Sequence, residues 1–150
     1  MKKITGFAAL LMVMSGSAMA ASAPACVTAE KTQIEGLFDK WNNSLQTGDA
    51  HKVASNYLSD AVLLPTVSNQ VRLTEAERVD YFEHFLTKKP VGKIDSRTIR
   101  TGCNKAVDAG TYTFAFADGS TVSARYTFTY AWNGSEWKIS THHSSAMPEV

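Results

Sequence analysis

Apolar residues recur at helical spacing in the first half of the chain. Between Thr28 and Gly48 they fall at i, i+3, i+4, i+7 and i+11, the pattern of a helix with one buried stripe. The stripe consists of Ile34, Leu37, Phe38, Trp41 and Leu45. A helix is therefore predicted here, followed by a shorter one that Asp49 caps and that continues to about Leu58.

A third helix is predicted to start at Thr74. Thr74 and Glu77 fit the capping box, in which each side chain accepts a hydrogen bond from the other residue's backbone N–H. Lys88-Lys89-Pro90 ends this helix. A short apolar run before it, residues 61–65, predicts a strand that is stopped by proline.

From Val91 onward the apolar period changes to two, which is typical of β-strands. Strands are predicted over residues 93–101, 105–116, 121–132 and 136–145. Asp118-Gly119 and Asn133-Gly134 separate the last three, and both dipeptides favour two-residue hairpin turns. Helices followed by an antiparallel meander predict an α+β fold, with a curved sheet wrapped over the helices.

Two-residue turns would place Tyr112 opposite Arg125, and Arg125 opposite His142. The more aromatic face of the sheet would then cover the helices. That face becomes polar at one end, where a pocket is predicted with three residues of the last strand: Thr141, His143 and Ser145. The opposite face would carry Tyr112, Phe114, Arg125 and His142. Arginine and aromatic residues are favoured between subunits, so this face is predicted to be an interface, the alternative being a solvated surface.

The N-terminus has the three parts of a secretory signal peptide. Met1-Lys2-Lys3 is basic, residues 4–14 are apolar, and Ala18-Met19-Ala20 fits a signal-peptidase site. Cleavage after Ala20 would leave a short tail (residues 21–27) and one domain (residues 28–150). The protein is thus expected to be periplasmic or secreted, without membrane contact after cleavage.

Cys26 and Cys103 are the two cysteines of the chain. In an oxidising compartment they can pair and close a loop of about 77 residues, so a disulfide is predicted, the alternative being two free thiols. The formal net charge is +1, or about −1 without the two lysines of the leader, and there is no basic stripe. Nucleic acid is therefore not expected as a partner.

Several segments resemble one known family. They are residues 41–49, 65–69, 81–86, 89–92, 102–104 and above all 137–148. Together they resemble the nuclear-transport-factor-2-like superfamily, and within it the association domain of calcium/calmodulin-dependent protein kinase II and its stand-alone bacterial relatives. Some of those relatives carry the label of small oxidoreductases. The resemblance implies a cone-shaped sheet closed by helices, self-association as a homodimer or larger homo-oligomer, and a pocket for a small polar or anionic ligand.

The resemblance also implies residues for that pocket. The kinase association domain lines its pocket with arginines that bind small carboxylates, and Arg97 and Arg100 are the candidates here. At two positions where that domain has arginine, this chain has Phe128 and Ser144. An anion site of the kinase type would therefore be incomplete.

Two functional hypotheses follow. The first is a non-catalytic, self-associating domain with a ligand pocket. The second is a small lyase, isomerase or oxidoreductase in which His143 acts as general acid or base beside Tyr57 or Tyr126. The chain has no G-x-G-x-x-G segment, and two adjacent histidines without a third ligand are a weak metal signal, so no cofactor and no metal are expected.

Overall fold

The computed structural model describes residues 25–148, so the predicted signal peptide and its cleavage site lie outside the described residues. The elements are α1 (Lys31–Leu45), α2 (Ala50–Ala54), β1 (Tyr57–Leu64), α3 (Glu75–Leu86), β2 (Val91–Gly102), β3 (Lys105–Ala115), β4 (Thr121–Trp132) and β5 (Trp137–Ala146). The predicted α+β class is confirmed. Within the described range no helix is both long and apolar enough to span a membrane.

The strands form one mixed sheet in the order β1-β5-β4-β3-β2. β1 runs parallel to β5, whereas all other neighbours are antiparallel. The β1–β5, β2–β3 and β4–β5 pairings each contain a register shift, and such bulges bend and twist a sheet. The predicted buried stripe of α1 packs against the inner face, where its largest residue, Trp41, is only 1% exposed.

The helix starts depend on local capping. α3 begins with the predicted capping box: the Glu77 N–H donates to Thr74 Oγ1 at 3.2 Å, and the Thr74 N–H donates to Glu77 Oε2 at 2.9 Å. Asp49 caps α2, as predicted. α1 begins later than predicted, at an N-cap Glu30 that makes no side-chain capping bond. α2 ends earlier than predicted, because β1 already begins at Tyr57.

The predicted register of the β3–β4 hairpin is wrong by one residue. Tyr112 lies opposite Ala124, not opposite the next residue of β4. The Phe116 N–H donates to the Ser120 carbonyl at 2.9 Å, and Gly119 before it has a φ of 82°. A three-residue loop ending in a left-handed glycine is a common alternative to the two-residue turn. β3 therefore turns the opposite side from the predicted one toward the helices.

A β-bulge corrects the prediction for β5. Ile139 and Thr141 pair with consecutive residues of β4, so Ser140 is an extra residue between them. Beyond the bulge, His142 lies on the inner face and His143 on the outer face. The sequence pattern predicted the reverse.

A disulfide joins Cys26 to Cys103, as predicted, with their Cα atoms 5.0 Å apart. Beside it, the Val27 N–H donates to Asn104 Oδ1 and the Asn104 N–H donates to the Val27 carbonyl, both at 2.8 Å. These contacts fix the segment before α1 to the β2–β3 turn. In the chain-entropy account, a cross-link over 77 residues stabilises the fold by about 4 kcal/mol.

Candidate functional site

A small cavity lies between the inner face of the sheet and helix α3. Its free volume is about 10 Å³, which leaves room for about one water molecule. Most of its wall is apolar or aromatic: Trp41, Leu63, Pro65, Tyr81, Phe82, Phe85 and Phe114. The remaining wall presents hydroxyl groups and an imidazole: Thr66, Tyr112, His142 and Ser144.

His142 is the imidazole of this arrangement. Its side chain is buried, and its ring stacks on Phe128 with centroids 3.9 Å apart. The ring of Trp41 is nearly perpendicular to it, with centroids 5.2 Å apart. Burial, with a smaller effect of the neighbouring His143, lowers the pKa of His142 to about 3. The imidazole is therefore neutral at physiological pH.

The hydrogen bonds assign the tautomer of His142. Trp41 Nε1–H donates to the Tyr57 hydroxyl at 3.0 Å, and that hydroxyl lies 2.9 Å from His142 Nδ1. An indole N–H can only donate, so the proton of Tyr57 is free to point at Nδ1. Nδ1 is then the acceptor, and Nε2 carries the hydrogen. Burial raises the pKa of Tyr57 well above its usual value, which keeps the hydroxyl protonated.

From Nε2 the hydrogen bonds continue toward the surface. Nε2 of His142 faces the Tyr112 hydroxyl at 3.4 Å, and Tyr112 donates to Ser144 Oγ at 2.6 Å. Ser144 Oγ is hydrogen-bonded to Thr66 Oγ1. Thr66 belongs to the loop between β1 and α3, so the chain of polar groups runs from the core to a surface loop. We call the following five residues the inner network: Tyr57, His142, Tyr112, Ser144 and Thr66.

Arg97 and Tyr126, both predicted pocket residues, lie in a second buried polar cluster. Asp108 is fully buried. Its carboxylate accepts hydrogen bonds from the Tyr126 hydroxyl at 2.9 Å and from Arg97 Nε at 3.2 Å. The Arg97 guanidinium also lies over the Phe38 ring, 5.5 Å from its centroid. Burial raises the pKa of Asp108, while Tyr126 and Arg97 act in the opposite direction. Arg97 and Tyr126 are thus engaged by a carboxylate of the chain itself.

Three other predicted pocket residues lie on the wrong side of the sheet. The Ser140 bulge turns Thr141, His143 and Ser145 outward, and His143 lies, exposed, in a shallow groove of about 380 Å³ beside Arg125. Arg100 is exposed on β2. The prediction that Thr141, His143 and Ser145 line the inner face is therefore wrong. His143 and Ser145 line the outer groove with Tyr126, and their roles in binding or catalysis, like that of Arg100, stay predictions.

The predicted interface residues divide in the same way. Tyr112, Phe114 and His142 are buried in the core, so they cannot contact a second subunit. The three-residue loop and the bulge explain this, because each moves a strand's side chains to the other face. Arg125 alone of the four is exposed on the outer face. Tyr57 is the predicted pocket residue that the structure places in the inner network.

Four functional groups were missed by the sequence interpretation: the indole of Trp41, Thr66, Asp108 and Ser144. Asp108 had a signal, because it shares the alternation of Tyr112 and therefore its face. Once the bulge is known, Ser144 can be placed on the inner face, because it lies two residues after His142 on the same strand. Thr66 lies in a loop, where no sequence periodicity indicates which way a side chain points.

The inner network offers hydrogen-bond donors and acceptors to a small molecule while aromatic walls exclude bulk water. In such surroundings a hydrogen bond is stronger than in water. Among residues 25–148 no three or more His, Cys, Asp or Glu side chains are grouped so as to hold a metal ion. The chemistry visible here is that of hydroxyl groups and a neutral imidazole.

The family model for the calcium/calmodulin dependent protein kinase II association domain matches residues 30–148. A Xanthomonas campestris protein assigned to that association domain is 53% identical, with a TM-score of 0.78, over 81% of this chain and 91% of its own. A comparison with curated proteins gave no match.

Two more distant structures share the fold. An NTF2-like protein of unknown function from Pseudomonas putida has a TM-score of 0.70 at 16% identity, over 80% of this chain and 88% of its own. The iota-carbonic anhydrase from a cyanobacterium, solved with bicarbonate, has a TM-score of 0.73 at 16% identity, over 87% of this chain and 100% of its own. The family model matches most of the sequence, and the Xanthomonas campestris protein is similar in sequence as well as in fold. The chain therefore belongs to the calcium/calmodulin-dependent protein kinase II association-domain family.

Proposed function

We propose that this domain is a small lyase that hydrates CO₂ to bicarbonate at the inner network. The observation that carries the proposal is the neutral imidazole of His142 in one hydrogen-bonded network with four hydroxyl groups, at a cavity that holds about one water molecule. A cavity of this size selects molecules of very few atoms. The fold shared with a carbonic anhydrase that binds bicarbonate supports this choice of substrate.

The two kinds of wall suit the two reactants. CO₂ carries no charge and can lie against the aromatic side chains of Trp41 and Phe82. Water needs hydrogen-bond partners, and Tyr112 and Ser144 provide them on the opposite side. Since the cavity has room for about one water molecule, CO₂ can enter beside that water only when side chains of the wall move apart. The two reactants would then be held as positioned groups, which replaces a bimolecular encounter.

In the reaction, the oxygen of water forms a bond to the carbon of CO₂, and one C=O π bond becomes a C–O⁻ group. One proton leaves the water, so the products are bicarbonate and H⁺. The Ser144 hydroxyl, which accepts from Tyr112, can donate a hydrogen bond to the developing oxyanion. His142 does not store the proton near neutral pH, since its pKa is lowered to about 3. Its role is to donate from Nε2 and so fix the direction of the Tyr112 hydroxyl.

Adjacent residues on opposite faces of β5 give matched variants for the test. We expect Ser144→Ala to reduce kcat/KM for CO₂ hydration about a hundredfold, the usual effect of removing one oxyanion donor. Ser145→Ala removes the same group from the outer face and is expected to leave the rate within twofold or so. His142→Ala and His143→Ala form a second pair, in which the inner variant also removes core packing. Stopped-flow hydration assays with a pH indicator measure the rates.

Circular dichroism of each variant confirms that it is folded before its rate is compared. A wild-type protein that does not exceed the uncatalysed hydration rate contradicts the proposal. Equal losses in Ser144→Ala and Ser145→Ala also contradict it, because the outer hydroxyl does not reach the cavity.

A non-catalytic ligand-binding domain is the second candidate. It is favoured by the membership of the association-domain family, and it uses the same inner network to hold a small polar or anionic molecule. Bicarbonate binding without turnover, detected by carbon-13 NMR of labelled bicarbonate, distinguishes it from the lyase.

Export and self-association complete the proposal. The signal-peptide pattern of residues 1–20 supports export, and so does the disulfide, since such bonds persist in oxidising compartments. The family supports self-association. The outer sheet face, with Arg125 and His143, is the surface we propose for it.

A further inference from the structure

A groove on the surface lies directly outside the cavity wall. Its volume is about 360 Å³, and Tyr81 and Phe85 line both the groove and the cavity. Val67 and Ser68, the two residues that follow Thr66, form another side. The groove is therefore next to the surface end of the inner network. We call it the mouth groove.

His84 is the imidazole of the mouth groove. It is exposed on α3, and its Nδ1 lies 2.8 Å from the backbone carbonyl of Asp80. A carbonyl oxygen can only accept, so Nδ1 carries a hydrogen. In the neutral ring Nε2 is then the nitrogen that carries the lone pair.

The charges that face His84 come from several elements. Asp80 lies one turn earlier on α3, Arg72 lies in the preceding loop, and Lys88 follows the helix. Arg72 and Asp80 pair at 2.5 Å, and Lys88 lies over the Phe116 ring. The groove thus holds two cations and one carboxylate around an imidazole. This balance favours an anion such as bicarbonate on its way out.

In the proposed reaction, hydration releases a proton inside the cavity at every turnover. The buried His142 does not hold it near neutral pH, while the hydroxyl groups of Tyr112, Ser144 and Thr66 form a path that leads outward. The two residues that follow Thr66 line the mouth groove together with His84, and an imidazole is the side chain best suited to exchange protons near neutral pH. Resting on the proposed hydration reaction, we propose that His84 transfers the released proton from the inner network to solvent.

Removal of His84 should slow proton release without changing the hydration step. We expect His84→Ala to lower kcat about tenfold in weak buffer and to leave kcat/KM unchanged, because kcat/KM ends with bicarbonate formation and excludes proton release. Concentrated imidazole buffer should restore kcat, because free imidazole can enter the mouth groove. His51→Ala, which removes an exposed imidazole from α2, is the matched control and should behave as wild type.

The outcomes separate this inference from the proposed function. A wild type that hydrates CO₂, with His84→Ala showing the same kcat in weak buffer, overturns the role of His84 and leaves the lyase standing. A loss of kcat/KM equal to the loss of kcat also overturns it, since that pattern indicates a damaged site. Loss of kcat alone with rescue by imidazole supports it. A wild type without activity refutes the lyase itself, and the role of His84 with it.

Discussion

His142 is enclosed by aromatic rings, and that enclosure decides which form of its imidazole the folded protein can hold. Phe128 covers one face, Trp41 meets the ring edge-on, and Tyr57 satisfies Nδ1. A protonated imidazole ring would lose its hydration on burial and would gain no carboxylate partner in return. The folded protein therefore binds a proton on His142 far more weakly than the unfolded chain does.

This difference predicts a specific loss of stability in acid. The unfolded pKa is near 6.5 and the folded pKa of His142 is about 3, so the unfolded state binds the extra proton between these values. Stability is fully present above pH 6.5 and decreases as pH falls toward 3. Between pH 7 and pH 5 the loss due to this one group should be about 2 kcal/mol.

Urea denaturation at several pH values measures that loss. His142→Gln has a lower stability throughout, because packing is lost, but it should lack the extra decrease between pH 7 and pH 5. His143→Ala, which leaves the buried ring in place, should retain it. If the unfolding free energies of wild type and His142→Gln decrease equally between pH 7 and pH 5, then His142 is not held neutral by burial.

At the scale of the element, the bends in the strands determine the shape of the sheet. In β2 the register shifts between Ile94 and Ser96, and Gly110 of β3 lies beside this shift. A Cβ at Gly110 would lie 1.9 Å from the Ser96 carbonyl oxygen, which is a backbone atom. The two strands approach this closely only because residue 110 has no side chain.

Gly110→Ala is therefore expected to destabilise the fold by about 2 kcal/mol or more, the cost of overpacking a rigid site. Gly36→Ala is the matched control, because nothing lies within 4 Å of its Cβ position and it is exposed on α1. That change should stabilise the protein by up to about 1 kcal/mol, the difference between glycine and alanine in a helix. Thermal unfolding of both variants measures the contrast. Equal effects of the two would show that the close approach at Gly110 is absent.

Sequence reasoning predicted the elements well and their faces poorly. The bounds of β4 and the capping box of α3 were correct, because alternation and capping are local properties. The loop after Phe116 and the extra Ser140 are not local properties. Asp118-Gly119 is compatible with loops of two or three residues, and nothing in the sequence around Ser140 indicates a bulge. Each adds one residue, and that residue reverses the faces of one stretch of strand: β3 before the loop, and the part of β5 after Ser140.

The same reason limited the prediction of the site. The sequence identified the His142-His143 pair and the strand end that carries it, but the bulge decides which ring is buried. Thr66 and the Trp41 indole come from a loop and a helix. Their contact with β5 depends on the whole fold, so the sequence could indicate the region of the site and not its network.

At the scale of the whole molecule, the inner face of the sheet is filled by the domain's own core and the outer face is open. The core contains Tyr112, Phe114 and His142. Arg125 and His143 lie on the outer face, where they are available to a second copy. A twofold interface uses the same patch on both subunits. A change at one exposed residue of that patch therefore acts twice in a dimer.

Native mass spectrometry of protein recovered from the periplasm tests export, the disulfide and self-association in one measurement. We expect a chain that begins at Ala21, has the mass of the oxidised Cys26–Cys103 pair, and is present as a dimer or larger homo-oligomer. Arg125→Glu reverses the charge of the outer face on both subunits at once, which disrupts the charge complementarity of the contact and should weaken association about tenfold or more. Lys31→Glu makes the same charge change at the exposed start of α1 and should leave assembly unchanged. A monomeric wild type contradicts self-association, and equal assembly of both variants shows that the outer face is not the contact.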